Sequence, residues 1–396
     1  MSHPRVAFGM TLYNHARHLP EALGSLTAQT DADFGLVMVD DGSVDDTERV
    51  AREWVARDPR LRYVRHAGRQ GMVPTWRDAF AVARREFPSA EYFAWASDHD
   101  RWHPEWLAQV RAALDARPQA VLAYGLTERT DDAGLPLGKP PKAFDTTGDA
   151  DPARRVLRFV AEPVGAGDMV YGLVRIGALE HAGVFRPVIQ PDRLLMIELA
   201  LAGEFVQLPE VLWFRRQPAE PSVVKQHTTL FAAGTAPPGL ERPAWIQHGA
   251  VLMREYVRGG RRPASMSAAA MVAIVLRYQA GYLVRHHWKQ TGWLHRLDQV
   301  WEAAWQRWKE TKHAWRHFVY EASMRLRPKH IARTTWKYAE RAGRHAVYDA
   351  AVARRKARAA GYETRMWLRA AAGRLRRVAR KALYEILMLR HRFKEQ

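Results

Sequence analysis

Residues 1–217 predict a doubly wound, mostly parallel α/β sheet, and the rest of the chain predicts a basic α-helical region. Three observations lead there. Short apolar runs alternate with helical stretches along the first part of the chain, the pattern of repeated βαβ units. Phe34 to Val39 is an apolar run without alternation, as expected of a strand covered on both faces. Positive charge collects at the other end. Residues 250–396 hold 33 Lys and Arg against 10 Asp and Glu, whereas residues 1–249 hold 28 against 32. A mildly acidic front and a strongly cationic back imply two different tasks.

The elements follow in order. Arg5 to Met10 reads as a buried first strand with Gly9 inside it, ending at Thr11-Leu12-Tyr13-Asn14. Pro20 to Gln29 places Leu23 and Leu26 at helical spacing. Phe34 to Val39 is the second strand and stops at Asp40-Asp41-Gly42-Ser43. Asp45 and Asp46 then open a helix over Glu48 to Ala56, with acids where the helix dipole favours them. Leu61 to Val64, a helix over Met72 to Phe87, and the aromatic strand Tyr92 to Ala96 come next. Glu105 to Leu114 is helix-like, Met169 to Arg175 reads as a strand, and Arg193 to Gly203 as a helix. Phe205 to Leu208 and Val211 to Phe214 close the unit as two short strands. Pro, Gly and Thr are frequent from Ala219 to Pro243, so residues 218–243 read as a linker before a helical region over 244–396.

Composition excludes several classes. At 396 residues the chain has ample length for a core and for two or three domains. It has no cysteine, so disulfides, thiolate nucleophiles and cysteine-based zinc sites are impossible; a reducing compartment is expected. No signal peptide is expected in Met1 to Leu12. No apolar stretch reaches the roughly 18 residues of a spanning helix; Met266 to Leu276 comes nearest and reads as a buried or interfacial helix. Neither G-x-G-x-x-G nor G-x-x-x-x-G-K-[ST] opens a helix, which argues against a dinucleotide oxidoreductase or a P-loop enzyme.

Polar residues gather where strands must end. In doubly wound sheets ligands bind beyond the carboxyl ends of the strands, and Tyr13-Asn14, Asp40-Asp41 and Asp98-His99-Asp100 all fall there. Alternate residues of an extended chain point the same way, so Asp98 and Asp100 can face one spot. Two hard oxygen donors suit a divalent cation that keeps waters and binds phosphates. A turn or helix-capping role for Asp98 is the simpler alternative.

These residues are recognisable together. Met10-Thr11-Leu12-Tyr13-Asn14, Glu21 to Thr30, Val39 to Asp45 and Ser97-Asp98-His99-Asp100 resemble family 2 glycosyltransferases of the GT-A fold, over roughly residues 4–217. The resemblance implies inverting transfer of a sugar, of hexose type, from a nucleotide-diphosphate donor, most simply a UDP-sugar. The acceptor would be a hydroxyl of a glycan or lipid-linked glycan in cell-envelope polysaccharide synthesis. By matching position, Thr11, Tyr13 and Asp41 would hold the nucleotide. Arg69-Gln70-Gly71 to Arg77 would be the glycine-containing loop near it. Asp100 would bind Mg²⁺ or Mn²⁺, with Asp98 as its support or as a sugar contact, and His99 as a third ligand, a phosphate donor or a plain loop histidine. Asp192 matches the family's base at the start of a helix, where it would otherwise be a helix cap. Gly165, Ala166, Gly167 and Asp168 would line the acceptor side. The chain departs from the family pattern in Thr11 for a common Pro, in Arg69 and Arg77 for common Asn, and in Ser97 and His99 within a run that is often more acidic.

The cationic back carries Trp301, Trp305, Trp308 and Trp315 on one helical face, with Arg307, Lys309, Lys312 and Arg316 between them. Tryptophan beside Lys and Arg suits an anionic membrane surface. Core packing, an acidic polysaccharide and nucleic acid compete with that reading, nucleic acid least because no recognition motif accompanies the charge. A cytoplasmic location, peripheral on the inner face of the membrane, follows from the first reading. His227, in the linker, could reach back to the metal or stand as a loop histidine. Two other functions stay open: a non-catalytic scaffold of the same fold on the membrane, and a nucleotidyltransferase, although His15 to Pro20 lacks the glycines of a phosphate loop.

Overall fold

A computed structural model describes residues 3–161, 165–217 and 230–290. Eight strands form one sheet in the order β3-β2-β1-β4-β7-β6-β8-β5. They are β1 (Val6–Leu12), β2 (Phe34–Asp40), β3 (Leu61–Arg65), β4 (Tyr92–Ala96), β5 (Arg101–Trp102), β6 (Ala120–Thr130), β7 (Leu173–Arg175) and β8 (Glu204–Arg216). β3, β2, β1 and β4 run parallel, as do β6 and β8, while β7 is antiparallel to β4 and β6 and β5 is antiparallel to β8. The sheet is therefore mixed but mostly parallel, as the alternation of runs requires.

Both faces of the sheet are covered. Along β1, Val6, Phe8, Met10 and Leu12 enter one core with Leu23 and Leu26 of α1 (Leu19–Thr27), Val50 and Ala51 of α2 (Thr47–Arg57), and Leu107 and Val110 of α4 (Trp106–Asp115). Ala7 enters the other, with Ala79, Phe80 and Ala83 of α3 (Met72–Glu86). Gly9 lets α3 lie close: a Cβ there would sit 2.8 Å from the Phe93 ring and 3.1 Å from Ala79 Cβ. The first four strands and three helices agree with the sequence to within two residues at their ends.

The second half differs from expectation. Met169 to Gly172 is not strand. α6 (Ala166–Met169) runs into a turn in which Tyr171 N donates to Asp168 O and Gly172 N to Met169 O, so only Leu173–Arg175 pairs in the sheet. The two short strands expected near 205 and 211 are one strand, β8, which follows β6 through register shifts between Tyr124 and Thr127. β6 itself and α5 (Pro152–Ala161) have no counterpart in the sequence reading. α7 (Ile176–Ala182) and α8 (Pro191–Ala202) complete this half.

Packing continues past residue 217 among the described residues, within the compact unit Met1–Leu294. Within the expected linker, Leu230, Phe231 and Leu240 are buried. α9 (Ala244–Leu252), a π-helical turn (Met253–Arg258) and α10 (Ala268–Gln290) then join the core. Met271, Ile274, Val275 and Tyr278 are buried along one face of α10. His248 of α9 is buried between Tyr278 and the Ile189 carbonyl, 2.5 and 2.7 Å from its two ring nitrogens, and burial pushes it down to about 4. Apolar burial, which is worth about 25 cal/mol per Å², thus carries the domain well into the region that composition marks as basic. Among the described residues no helix is long and apolar enough to cross a membrane. His227 and the tryptophans at 301, 305, 308 and 315 lie outside the described residues.

Candidate active site

β1, β2 and β4 are neighbours, so their carboxyl ends deliver Tyr13, Asp41 and Asp98 to one rim. The loop after β1 is fixed by the loop after β2. Asn14 takes a left-handed backbone with φ of 55°, which Asn tolerates better than most residues. Its N–H donates to Ser43 Oγ at 3.0 Å, and its side-chain oxygen accepts from Val44 N at 2.8 Å. His15 N donates to Thr47 Oγ1 at 3.1 Å, and Ala16 N to Asp45 Oδ2 at 3.1 Å. The Asp-Gly-Ser-Val-Asp-Asp-Thr stretch is therefore a clamp that sets the position of His15.

That position is on Asp98. His15 Nδ1 lies 2.8 Å from Asp98 Oδ2 and His99 Nδ1 lies 2.7 Å from Asp98 Oδ1. Tyr13 N donates to Asp98 Oδ2 at 3.3 Å, and the two imidazole rings lie 4.7 Å apart. Burial disfavours the Asp98 charge, but the two histidines outweigh it and hold the carboxyl well below the usual carboxylate range. His99 loses to burial and gains more from Asp98 and Asp100, so its pKa is raised. One donor atom from each of His15, Asp98 and His99 can be chosen so that all lie within 4.8 Å of one another. A carboxylate with two imidazoles fits a divalent first-row cation such as Mn²⁺.

Asp100 is placed differently. Its side chain is buried, and Oδ1 accepts from Arg216 N at 2.7 Å. Burial raises its pKa against the nearby His99 and Arg215 charges. Sequence reading puts Asp100 on an open rim; the end of β8 covers it instead. Arg216 also reaches the His99 and Asp132 carbonyls and Glu21 Oε2, closing the back of the loop.

The two acids after β2 divide their work. Asp40 Oδ1 accepts from Ser43 N at 2.7 Å and Oδ2 from the Tyr63 hydroxyl at 2.7 Å, both local bonds that shape the turn. Asp41 accepts from Gln70 N at 2.6 Å and Gly71 N at 2.9 Å, with His66 Nδ1 at 3.3 Å. Gly71 is required there. Its φ is 97°, and a Cβ would come 2.5 Å from the Phe231 Cα. Arg69 stacks over the Tyr13 ring at 4.6 Å, on the exposed lip. Thr11 lies half-buried in β1 opposite Val39. Arg77 faces another way: its guanidinium donates to the carbonyls of Phe185 at 2.6 Å and Gly183 at 3.3 Å.

Asp192 sits at the second position of α8, after Gln190 and Pro191, and is partly exposed. Burial by surrounding atoms raises its pKa, against the Arg193 N–H and the Arg215 charge. A Cβ on Gly167 would be 3.5 Å from both Asp192 Oδ2 and an Arg215 nitrogen, so the absent side chain leaves open the space beside them. Arg215 also donates to Asp168 Oδ1 at 2.6 Å and Gly167 O at 2.9 Å, while Arg129 pairs with Asp168 Oδ2. Two guanidiniums thus share one carboxylate, leaving excess positive charge beside Asp100 and Asp192. Tyr171, 4.7 Å from Trp213, lies in the combined field of Arg215, Asp100, Asp98 and Asp192. Sequence reasoning missed His15, Arg129 and Arg215. No motif marks them; each reaches the site through chain distant in sequence.

Residues 8–146 match the family model for glycosyl transferase family 2. An uncharacterized glycosyltransferase of Nostoc sp. is 32% identical over 99 residues, which cover 25% of this chain and 29% of that one. An uncharacterized protein of Mycobacterium bovis is 26% identical over 213 residues, 52% of this chain and 57% of that one. The chain therefore spans less than two-thirds of either relative. Among solved structures, residues 1–349 of S. aureus TarS in complex with UDP-GlcNAc align with a TM-score of 0.50 and 14% identity, over 71% of this chain and 73% of that one. These matches make residues 8–146 similar to glycosyl transferase family 2, and the mostly parallel mixed sheet is a GT-A-like α/β fold.

Proposed function

We propose that the chain transfers a sugar, of hexose type, from a nucleoside-diphosphate donor to a hydroxyl acceptor with inversion at the sugar carbon. The observation that carries this reading is the pairing of Asp98, held by His15 and His99, with Asp192 beside Arg215. A UDP-sugar is the first donor to try, since the TarS fragment of like fold is in complex with UDP-GlcNAc. Tyr13, Arg69, Thr11 and the loop clamped by Asp41 would take the nucleotide. Arg77, bonded to the 183–185 loop, would act on that pocket only through the position of α3.

The roles follow from chemistry. Asp192 would take the acceptor proton as the acceptor oxygen bonds to the sugar carbon. A carboxylate whose pKa is raised by burial is closer to the operating pH and is the better base. The bond from that carbon to the diphosphate oxygen breaks on the opposite side, and the nucleoside diphosphate leaves as an anion. Arg215 would stabilise the charge that develops there. His15, Asp98 and His99, with Asp100 behind them, would hold Mn²⁺ in preference to Mg²⁺, which takes oxygen ligands. When bound, such a cation neutralises diphosphate charge. The acceptor is read as a glycan or a lipid-linked glycan. The cationic residues beyond 290 are read as a contact with anionic membrane, worth about 1 kcal/mol per basic residue near the surface.

A panel of nucleotide sugars, each with and without Mn²⁺, tests the reading by release of nucleoside diphosphate. Release from one donor is expected, with an inverted anomer in the product. No release from any donor would favour a non-catalytic scaffold.

A further inference from the structure

A cavity of about 890 Å³ lies away from the Asp98 cluster. Its charged lining is Arg77, Arg186, Arg242, Arg254, Arg261 and Asp78. Val73 and Pro74 of α3, Val188, Leu240 and Ile246 form an apolar wall. All these residues belong to the compact unit ending at Leu294.

Charge decides what such a cleft takes. Glu255 lies 2.7 Å from Arg254, 3.3 Å from Arg261 and 3.5 Å from Arg186, so one carboxylate faces three guanidiniums. Glu198 also meets Arg186, at 3.0 Å, and burial pushes its carboxyl up to about 8. Asp78, the one acid in the lining, lies 3.2 Å from His66. Arg77 is fixed by two backbone carbonyls that carry no net charge. The Arg242 and Arg254 side chains are 66% and 65% exposed, and Arg242 lies 4.0 Å from the exposed Glu241. Five guanidiniums against fewer carboxylates, beside an apolar wall, attract anions and offer forked donors that match phosphate oxygens.

We propose that this cleft is a binding site for phosphate groups of an extended phosphate-bearing ligand, separate from the donor site. The wall would pack against the body of the ligand while Arg242 and Arg254 grip successive phosphates from the rim. The floor segment, Gly183 to Val188, runs directly into Gln190 and Asp192. A chain held in the cleft is thereby close in sequence to the proposed base. The site itself does not depend on the sugar-transfer reading.

The test uses the full chain and inorganic tripolyphosphate, read by hydrogen–deuterium exchange of individual peptides, because the residues beyond 290 are themselves cationic. Peptides over 183–189 and 239–254 are expected to exchange at least about twofold more slowly with tripolyphosphate. The double variants R242E/R254E and R242Q/R254Q should lose that protection with no change at 97–100. Both side chains are largely exposed, so the fold is expected to hold, and an unchanged melting temperature checks it. Vesicles of phosphatidylglycerol run as a second arm. Protection by vesicles but not by tripolyphosphate would assign the phosphates to lipid headgroups, and protection by tripolyphosphate to a soluble chain. Protection confined to residues beyond 290 in both arms, or persisting in the double variants, would overturn the proposal.

Discussion

His15 and Asp98, 83 positions apart in sequence, meet at 2.8 Å through Nδ1 and Oδ2 at the rim of the sheet. Asp98 is buried, whereas the His15 side chain is 41% exposed. The pair therefore joins a buried anion to an imidazole whose Nδ1 is buried against it while the rest of the ring reaches solvent. If the pair holds a cation, His15→Ala should weaken Mn²⁺ binding by about tenfold or more, within the range seen when metal-site support is lost. Calorimetric titration of Mn²⁺ in the presence of UDP checks this. Equal affinity in the variant would leave His15 as a plain partner of Asp98.

Asp100→Ala should lower stability as well as activity. The Arg216 N–H that Asp100 accepts would be left buried and unpaired, at a cost of about 1–3 kcal/mol. Asp100→Asn keeps an acceptor oxygen and should retain most of that stability. Urea denaturation of the two variants separates them, and equal losses would contradict this reading.

Gly71→Ala should be destabilising by more than about 1 kcal/mol, since φ is positive and the Phe231 backbone blocks the added carbon. The loss should be accompanied by weaker UDP binding, because the Gly71 and Gln70 N–H groups hold Asp41. Thermal unfolding with and without UDP measures both.

Glu198 should make stability depend on pH. Its folded pKa is raised from 4.5 to about 8, chiefly by burial against the Arg186 charge. The folded state then binds its proton more tightly than the unfolded chain does, so stability should fall as pH rises from about 4.5 to about 8 and level off above. Glu198→Gln should flatten that slope. Denaturation midpoints across this range check it, and parallel curves for the two proteins would contradict it.

How much of this was legible in the sequence differs along the chain. β1, β2 and β4 show as unbroken apolar runs because they are central strands with both faces covered. β6 was not legible: after Gly125 it turns polar, Leu-Thr-Glu-Arg-Thr, and only its pairing with β8 keeps it extended. The acids at the strand ends were visible as motifs. Their partners were not, because His15 is brought to Asp98 by a clamp of hydrogen bonds between two loops, and Arg215 comes from the far end of β8. The extent of the domain was hidden by composition. The apolar face of α10 at Met271, Ile274, Val275 and Tyr278 has helical spacing, but it lies in a stretch marked by its positive charge.

The most direct measurement is the turnover of Asp192→Asn beside its nucleotide affinity in the same preparation. The substitution keeps the shape and removes the basicity. Loss of a general base costs about a hundredfold or more, so kcat for sugar transfer should fall by that factor while the Kd for UDP stays within about twofold. Turnover per folded molecule equal to that of the unaltered chain would contradict the account and make Asp192 a residue of the helix start alone.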